Sequence, residues 1–124
     1  GDGSPTREFL YVEDAARAIR LATEQHNSSD PINIGSGKEV QMRTLAEKIR
    51  DVTGFAGDII WDITKPNGQP RRCLNVERAA TELGFRANIM LPYGLELTYR
   101  WFKDNYLDNS EQMPTSAAAL TPRA

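Results

Sequence analysis

Apolar residues return at helical intervals along several stretches of the chain, separated by polar, glycine-rich or proline-rich links. The clearest stretch places Met42, Leu45, Ala46, Ile49 and Val52 on one stripe with charges on the opposite face, and Gly54 supplies a C-terminal stop. That pattern predicts an amphipathic helix. An earlier stripe of Val12, Ala15, Ala16, Ile19 and Ala22 predicts a second, opened by the acidic pair Glu13 and Asp14 and ending near Gln25. Asp14 reads as a first-turn or capping carboxylate there. Asn75 is a suitable N-cap for a short helix from Val76 to Leu83 closed by Gly84. Pro92 fits the first turn of a last helix, in which Leu95, Tyr99 and Phe102 form a seam. Between the helices, Arg7 to Val12 is β-prone, Ile32-Asn33-Ile34 reads as a short strand running into Gly35-Ser36-Gly37, and Ile59-Ile60-Trp61 reads as a buried strand. From Asp108 onward the chain is polar and alanine-rich without periodicity, which predicts a disordered tail. The expected architecture is α/β, with few short strands and about four helices. So few strands would struggle to complete a sheet alone, so residues 1–107 read as one lobe of something larger.

Composition narrows the function classes. A chain of 124 residues, 40% hydrophobic and 26% charged, is ordinary for a soluble globular protein. Its net charge of −2 argues against a nucleic-acid binder held by a general basic field, so any anion site must be local. Cys73 is the only cysteine, which rules out an intrachain disulfide and reads as a small, partly buried thiol. No apolar run approaches the roughly 20 residues that span a membrane, and the start has neither the basic nor the apolar region of a signal peptide. A cytoplasmic location is expected. The opening Gly1-Asp2-Gly3, without methionine, reads as part of a longer chain.

One local site stands out. Lys65-Pro66-Asn67-Gly68-Gln69-Pro70-Arg71-Arg72 gathers two prolines, a glycine and three cations with neither helical nor strand periodicity. Proline fixes φ and glycine permits positive φ, so the stretch is a turn that presents its cations at defined positions. Guanidinium groups match phosphate oxygens bidentately and Lys65 adds a point charge, which is the chemistry of an anion site.

Two signatures carry a resemblance to a known family. Arg7-Glu8-Phe9-Leu10-Tyr11-Val12-Glu13-Asp14-Ala15-Ala16 is similar to an R-x-F-x-x-V-x-D-x-A stretch, and Ile32 to Gly37 to an N-x-G-x-G segment, of the extended short-chain dehydrogenases/reductases, the nucleotide-sugar epimerases and dehydratases. The proline-rich loop, preceded by Trp61-Asp62, most resembles the branch of that family acting on GDP-linked keto-deoxy-sugars. The resemblance covers Gly1 to about Tyr106. It implies a Rossmann NAD(P) domain followed by a smaller carboxyl-terminal substrate-binding lobe, of which this chain would be the lobe. It also implies NADP(H) bound by the missing amino-terminal part, a homodimer for the complete enzyme, and catalytic residues outside these 124 positions. The chain alone is then expected to be inactive. Arg7 and the position of Asn67 would contact substrate. Asn67 stands where that branch has an acidic residue, keeping an acceptor oxygen without the charge, so the base and sugar could differ from GDP-linked ones. The expected substrate-binding set is Arg7, Lys65, Asn67, Arg71 and Arg72.

Other candidates fall away. Gly35-Ser36-Gly37-Lys38 lacks the first glycine of a Walker loop and the Ser or Thr after its lysine, and Val40 replaces the third glycine of the dinucleotide fingerprint. Tyr99 and Lys103 have the spacing of the family's Tyr-x-x-x-Lys pair, but in the family that pair precedes the R-x-F motif, and Tyr99 shares an apolar seam. His26 stands alone, which gives a zinc site no support.

Overall fold

The computed structural model describes residues 1–107, and the tail expected from Asp108 lies outside the described residues. Among the described residues it has a three-stranded sheet and four α-helices: β1 (Thr6–Glu8), α1 (Val12–Gln25), β2 (Glu39–Gln41), α2 (Met42–Thr53), β3 (Arg71–Arg72), α3 (Glu77–Leu83) and α4 (Leu91–Phe102), followed by a π-helical turn over Lys103–Leu107. The α/β class and the helix pattern expected from periodicity are both present. β1 is the central strand, antiparallel to β2 with Arg7 opposite Val40, and parallel to β3 with Arg7 opposite Arg72.

Local chemistry explains the helix boundaries. α2 has no side-chain cap at its N-terminus, and the amides of Met42 and Arg43 donate instead to the carbonyls of Pro5 and Gly3, each at 2.9 Å. These amides have no partner within the helix, so a neighbouring backbone segment closes it. The N-cap of α3 is Val76 and not the expected Asn75; Asn75 lies one residue earlier, and its side chain accepts the Glu77 amide at 2.9 Å in a turn that leads into the helix. Gly54 and Gly84 end α2 and α3.

The core is small. Ala18 of α1 and Ala79 and Leu83 of α3 are buried with Phe85, and Leu10, Leu21, Ala22, Ile32 and Ile34 pack around them. α1 lies on α3, and α2 on α4. The buried face of α1 differs from the expected stripe: Val12 and Ile19 are 68% and 66% exposed, while Asp14 is 2% exposed. The cause is hydrogen bonding. Asp14 Oδ2 accepts the amides of Asn88 and Ile89, both at 2.8 Å, and Oδ1 accepts from Arg17 Nη2 at 2.8 Å. A carboxylate with three donors can be buried where an unpartnered one cannot. Asp14 therefore fastens α1 to the 88–89 segment, and it does not cap its own helix.

Two expected strands do not form. Ile32 to Ile34 is extended chain that packs on the core without a ladder partner, and the pairing strand of that region is Glu39–Gln41. Ile59 to Trp61 is likewise unpaired and Ile60 is 89% exposed, so apolar character there did not mean burial. Trp61 instead packs on the backbone of Gly3, where an added Cβ would come within 2.6 Å of the ring, and the Arg43 guanidinium lies 5.1 Å from its centroid. The loop from Lys65 also ends differently from expectation, because Arg71 and Arg72 form an edge strand.

Candidate functional site

Beside β1 an open cleft of about 620 Å³ is lined by Arg7, Asn67 and Arg72 together with Phe9, Leu10 and Met42 among others. Three of the five residues expected to bind substrate therefore meet around one space. The parallel register that pairs Arg7 with Arg72 puts both guanidinium groups on one face of the sheet. Neighbouring like charges repel, and among the described residues no carboxylate makes an ion pair with either. Among the described residues Arg7 makes one side-chain hydrogen bond, from Nη1 to the Thr6 carbonyl at 2.6 Å, which leaves most of its donors for another acceptor.

Arg71 and Lys65 are placed elsewhere. Successive side chains of a strand alternate between faces, so Arg71 turns away from Arg72. Its Nε donates to Glu39 Oε1 at 2.8 Å and its Nη2 donates to the same oxygen, while Thr6 Oγ1 donates to Glu39 Oε2 at 2.6 Å. The Thr6 hydroxyl and the Arg71 guanidinium hold the Glu39 carboxyl below its ordinary range. Lys65 is exposed and not among the residues lining the cleft. Asn67 borders the cleft, but its Oδ1 already accepts the Asp2 amide at 2.7 Å and its Nδ2 is 3.5 Å from Ser4 Oγ. Its first observable task is to tie the proline-rich loop to residues 2–4.

Glu8, which no sequence pattern marks as a contributor although it lies within the Arg7 motif, holds two segments of the cleft. Glu8 Oε1 accepts the Gly37 amide and Oε2 the Leu74 amide, both at 2.7 Å. Burial pushes this carboxyl up, but the Leu74 and Gly37 amides and the Cys73 thiol outweigh it and hold it below its ordinary range. The Gly37 amide thus already faces a carboxylate. Gly35-Ser36-Gly37 is in consequence no phosphate cradle, in keeping with its mismatch to the dinucleotide fingerprint. Burial and the Glu8 charge push the Cys73 thiol up, away from the thiolate that a nucleophile needs.

The remaining polar candidates have structural partners. The Tyr99 hydroxyl donates to the Thr53 carbonyl at 3.3 Å, bonding α4 to the end of α2. His26 Nε2 lies 2.9 Å from the Asp30 carbonyl. Among the described residues no group of three or more His, Cys, Asp or Glu could hold a metal, and no helix is long and apolar enough to cross a membrane.

Comparison with known proteins places this geometry in context. The profile of the NAD dependent epimerase/dehydratase family matches residues 1–35. GDP-L-fucose synthase 1 of Arabidopsis thaliana is 43% identical over 105 residues, covering 85% of this chain and 32% of the relative. Among solved structures, the Bordetella bronchiseptica enzyme WbmF in complex with NADH superposes with a TM-score of 0.77 at 32% identity, covering 90% of this chain and 33% of that one. The UDP-glucose 4-epimerase of Thermotoga maritima with UDP-glucose gives a TM-score of 0.77 at 28% identity, covering 84% and 33%. The chain spans about a third of the length of the curated relatives it matches.

Proposed function

We propose that the chain belongs to the NAD dependent epimerase/dehydratase family, whose profile matches residues 1–35, and that it is the nucleotide-sugar-binding lobe of an enzyme like GDP-L-fucose synthase, to which it is 43% identical over 105 residues. The complete protein would epimerise a GDP-linked 4-keto-6-deoxymannose at two sugar carbons and reduce its keto group. The observation that carries this reading is the Arg7 and Arg72 pair, two unneutralised guanidinium groups on one face at the edge of a cleft. A diphosphate supplies the negative charge and planar oxygen pairs that such groups bind best. Phe9, Leu10 and Met42 offer apolar surface for the ring systems on either side of it.

NADP(H) would supply the reducing equivalent and would be held by the part of the protein outside this chain, because the Gly37 amide of the glycine-rich turn is committed to Glu8. These residues would bind and orient the substrate's diphosphate and exclude water around it. They contribute no proton-transfer group, so the chain alone is inactive in this reading, and turnover of a GDP-keto-sugar by it with NADPH would overturn that. The complete protein would be a cytoplasmic homodimer.

The test is calorimetric titration of the chain with GDP-mannose. Arg7→Ala and Arg72→Ala should each weaken binding by about 1.5–3 kcal/mol, the value of charge-assisted hydrogen bonds. Unchanged affinity in both would return the cleft to solvated charge. A second reading, another nucleotide-sugar epimerase or 4,6-dehydratase, is favoured by Asn67, which brings no charge to the loop and whose acceptor oxygen is occupied. Assay of the complete protein on GDP-, UDP-, dTDP- and CDP-sugars separates the two, with exclusive use of UDP or dTDP favouring the second.

A further inference from the structure

Strand alternation sends the Arg7 and Glu8 side chains to opposite faces of β1, yet Glu8 borders the same cleft as Arg7 and reaches two further segments that line it, at Gly35 and Leu74. The ladder between β1 and β3 ends at the Arg7 and Arg72 pair. Beyond it the Leu74 amide is met by the Glu8 carboxylate instead of a backbone carbonyl, and the second oxygen of that carboxylate holds the Gly37 amide. These two bonds span 66 and 29 residues of sequence and join three segments, β1, the 35–37 loop and the 73–74 stretch. Space is cut to fit the clasp. A Cβ on Gly35 would come within 2.1 Å of Glu8 Oε1, so any larger residue there would push the carboxylate off its two amides.

We propose that Glu8 is a positioning residue of the anion-binding cleft: its carboxylate clamps the 35–37 loop and the 73–74 segment to β1 and so holds Arg72 in register beside Arg7. The inference rests on the nucleotide-sugar reading of that cleft. Two converging amides need an acceptor on each arm, and an ionised carboxylate has only acceptors. Glutamine offers one acceptor and one amino group, so one arm would set donor against donor. The pull is directed at Arg72 because Leu74 follows it by two residues on the same extended segment. Pro70 and Arg71 fix the strand on the side before Arg72; without the clasp the chain beyond Arg72 would lose its hold on β1, and the two guanidinium groups would move apart to relieve their repulsion.

The test uses the 124-residue chain with GDP-mannose as probe. Glu8→Gln and Gly35→Ala should each speed amide exchange at Gly37 and Leu74 and weaken GDP-mannose binding about tenfold, as expected for one misplaced charge-assisted contact. The double variant Glu8→Gln with Arg72→Ala should bind no more weakly than Arg72→Ala alone, because Glu8 acts through Arg72, whereas a general loss of structure would add to it. If Glu8→Gln does not fold, Glu8→Asp keeps the charge and both oxygens one methylene back, and the same comparisons are read from it. Faster exchange with unchanged affinity, or additive losses in the double variant, would overturn the positioning role while leaving the nucleotide-sugar site intact. A wild-type chain that binds no GDP-mannose would sink the site reading and this inference with it.

Discussion

Asp14 is the residue whose removal should harm the fold most per atom deleted. Its carboxylate, 2% exposed, accepts two backbone amides and the Arg17 guanidinium. Asp14→Ala leaves both amides without an acceptor, at about 1–3 kcal/mol each, and strips Arg17 of its ion-pair partner, so the expected loss is about 3–5 kcal/mol. A domain of this size has about 5–15 kcal/mol in all. Asp14→Asn is the informative control: an oxygen can still face Asn88 and Ile89 while an amino group turns toward Arg17, which still holds the Arg86 carbonyl and stacks over Phe85. Its cost should be about 1–2 kcal/mol, the charge-assisted bond alone. Urea denaturation followed by circular dichroism at pH 7 reads both from the shift in midpoint at constant slope. The pH dependence carries a sign. Burial pushes the Asp14 carboxyl up, but the Ile89 amide, Arg17 and the Asn88 amide outweigh it and hold it below its ordinary value of 3.8. As pH falls the unfolded chain therefore takes up its proton first, so the stabilisation is complete well above 3.8 and is lost as pH drops through the lower, folded value. The wild-type advantage over Asp14→Asn should stay level from about pH 7 to 5 and shrink below about pH 4. An Asp14→Ala protein within about 1 kcal/mol of wild type, or an advantage that grows on acidification, would refute this account.

Three further outcomes follow from the same geometry. Arg71→Ala should leave GDP-mannose affinity unchanged in calorimetry, in contrast to Arg72→Ala, since Arg71 faces Glu39 and not the cleft; equal losses from the two would contradict the strand assignment. Gly3→Ala should destabilise by at least about 1–2 kcal/mol and alter tryptophan emission, because φ there is +79° and the new methyl would strike Trp61; an unchanged spectrum and urea midpoint would count against the packing. Asn75→Ala should cost about 1 kcal/mol through loss of the acceptor for the Glu77 amide at the entry to α3, and no loss in thermal or urea denaturation would mean that this bond is idle.

The helices were legible because an amphipathic period is written locally. Met42 to Val52 states its own period, and Gly54 its own end. The strands were not, for the opposite reason. Three, three and two residues long, they exist only through pairing, and nothing within Ile32 to Ile34 or Ile59 to Trp61 says that no partner will arrive. The face of α1 was misread on a different ground. A polarity pattern assigns Asp14 to solvent, and only the amides of Asn88 and Ile89, more than 70 residues away, make its burial tolerable. Glu8 was hidden likewise, as its donors come from Gly37 and Leu74. Carboxylates held by distant amides are the least legible residues here, because what satisfies them lies elsewhere in the chain.

The site shows the same division. That cations in a proline-rich turn would be held in place was readable from the turn, but which of them would be left without a partner was not. The register decides it. On one face of the small sheet Thr6 and Arg71 converge on Glu39 and their charges cancel, while on the other Arg7 and Arg72 stand side by side with Val40 as their neighbour. Slipping β3 by one residue would exchange the two arginines, since side chains alternate with a period of two. Arg72 would then meet Glu39, and Arg71 would face the cleft. Two adjacent and chemically identical residues thus acquire opposite roles from one pairing, and the features that fix it, Pro70 accepting the Thr6 amide at 2.9 Å and Asn67 accepting the Asp2 amide at 2.7 Å, lie in the loop itself. The loop's contribution to the site is as much to set this register as to carry charge.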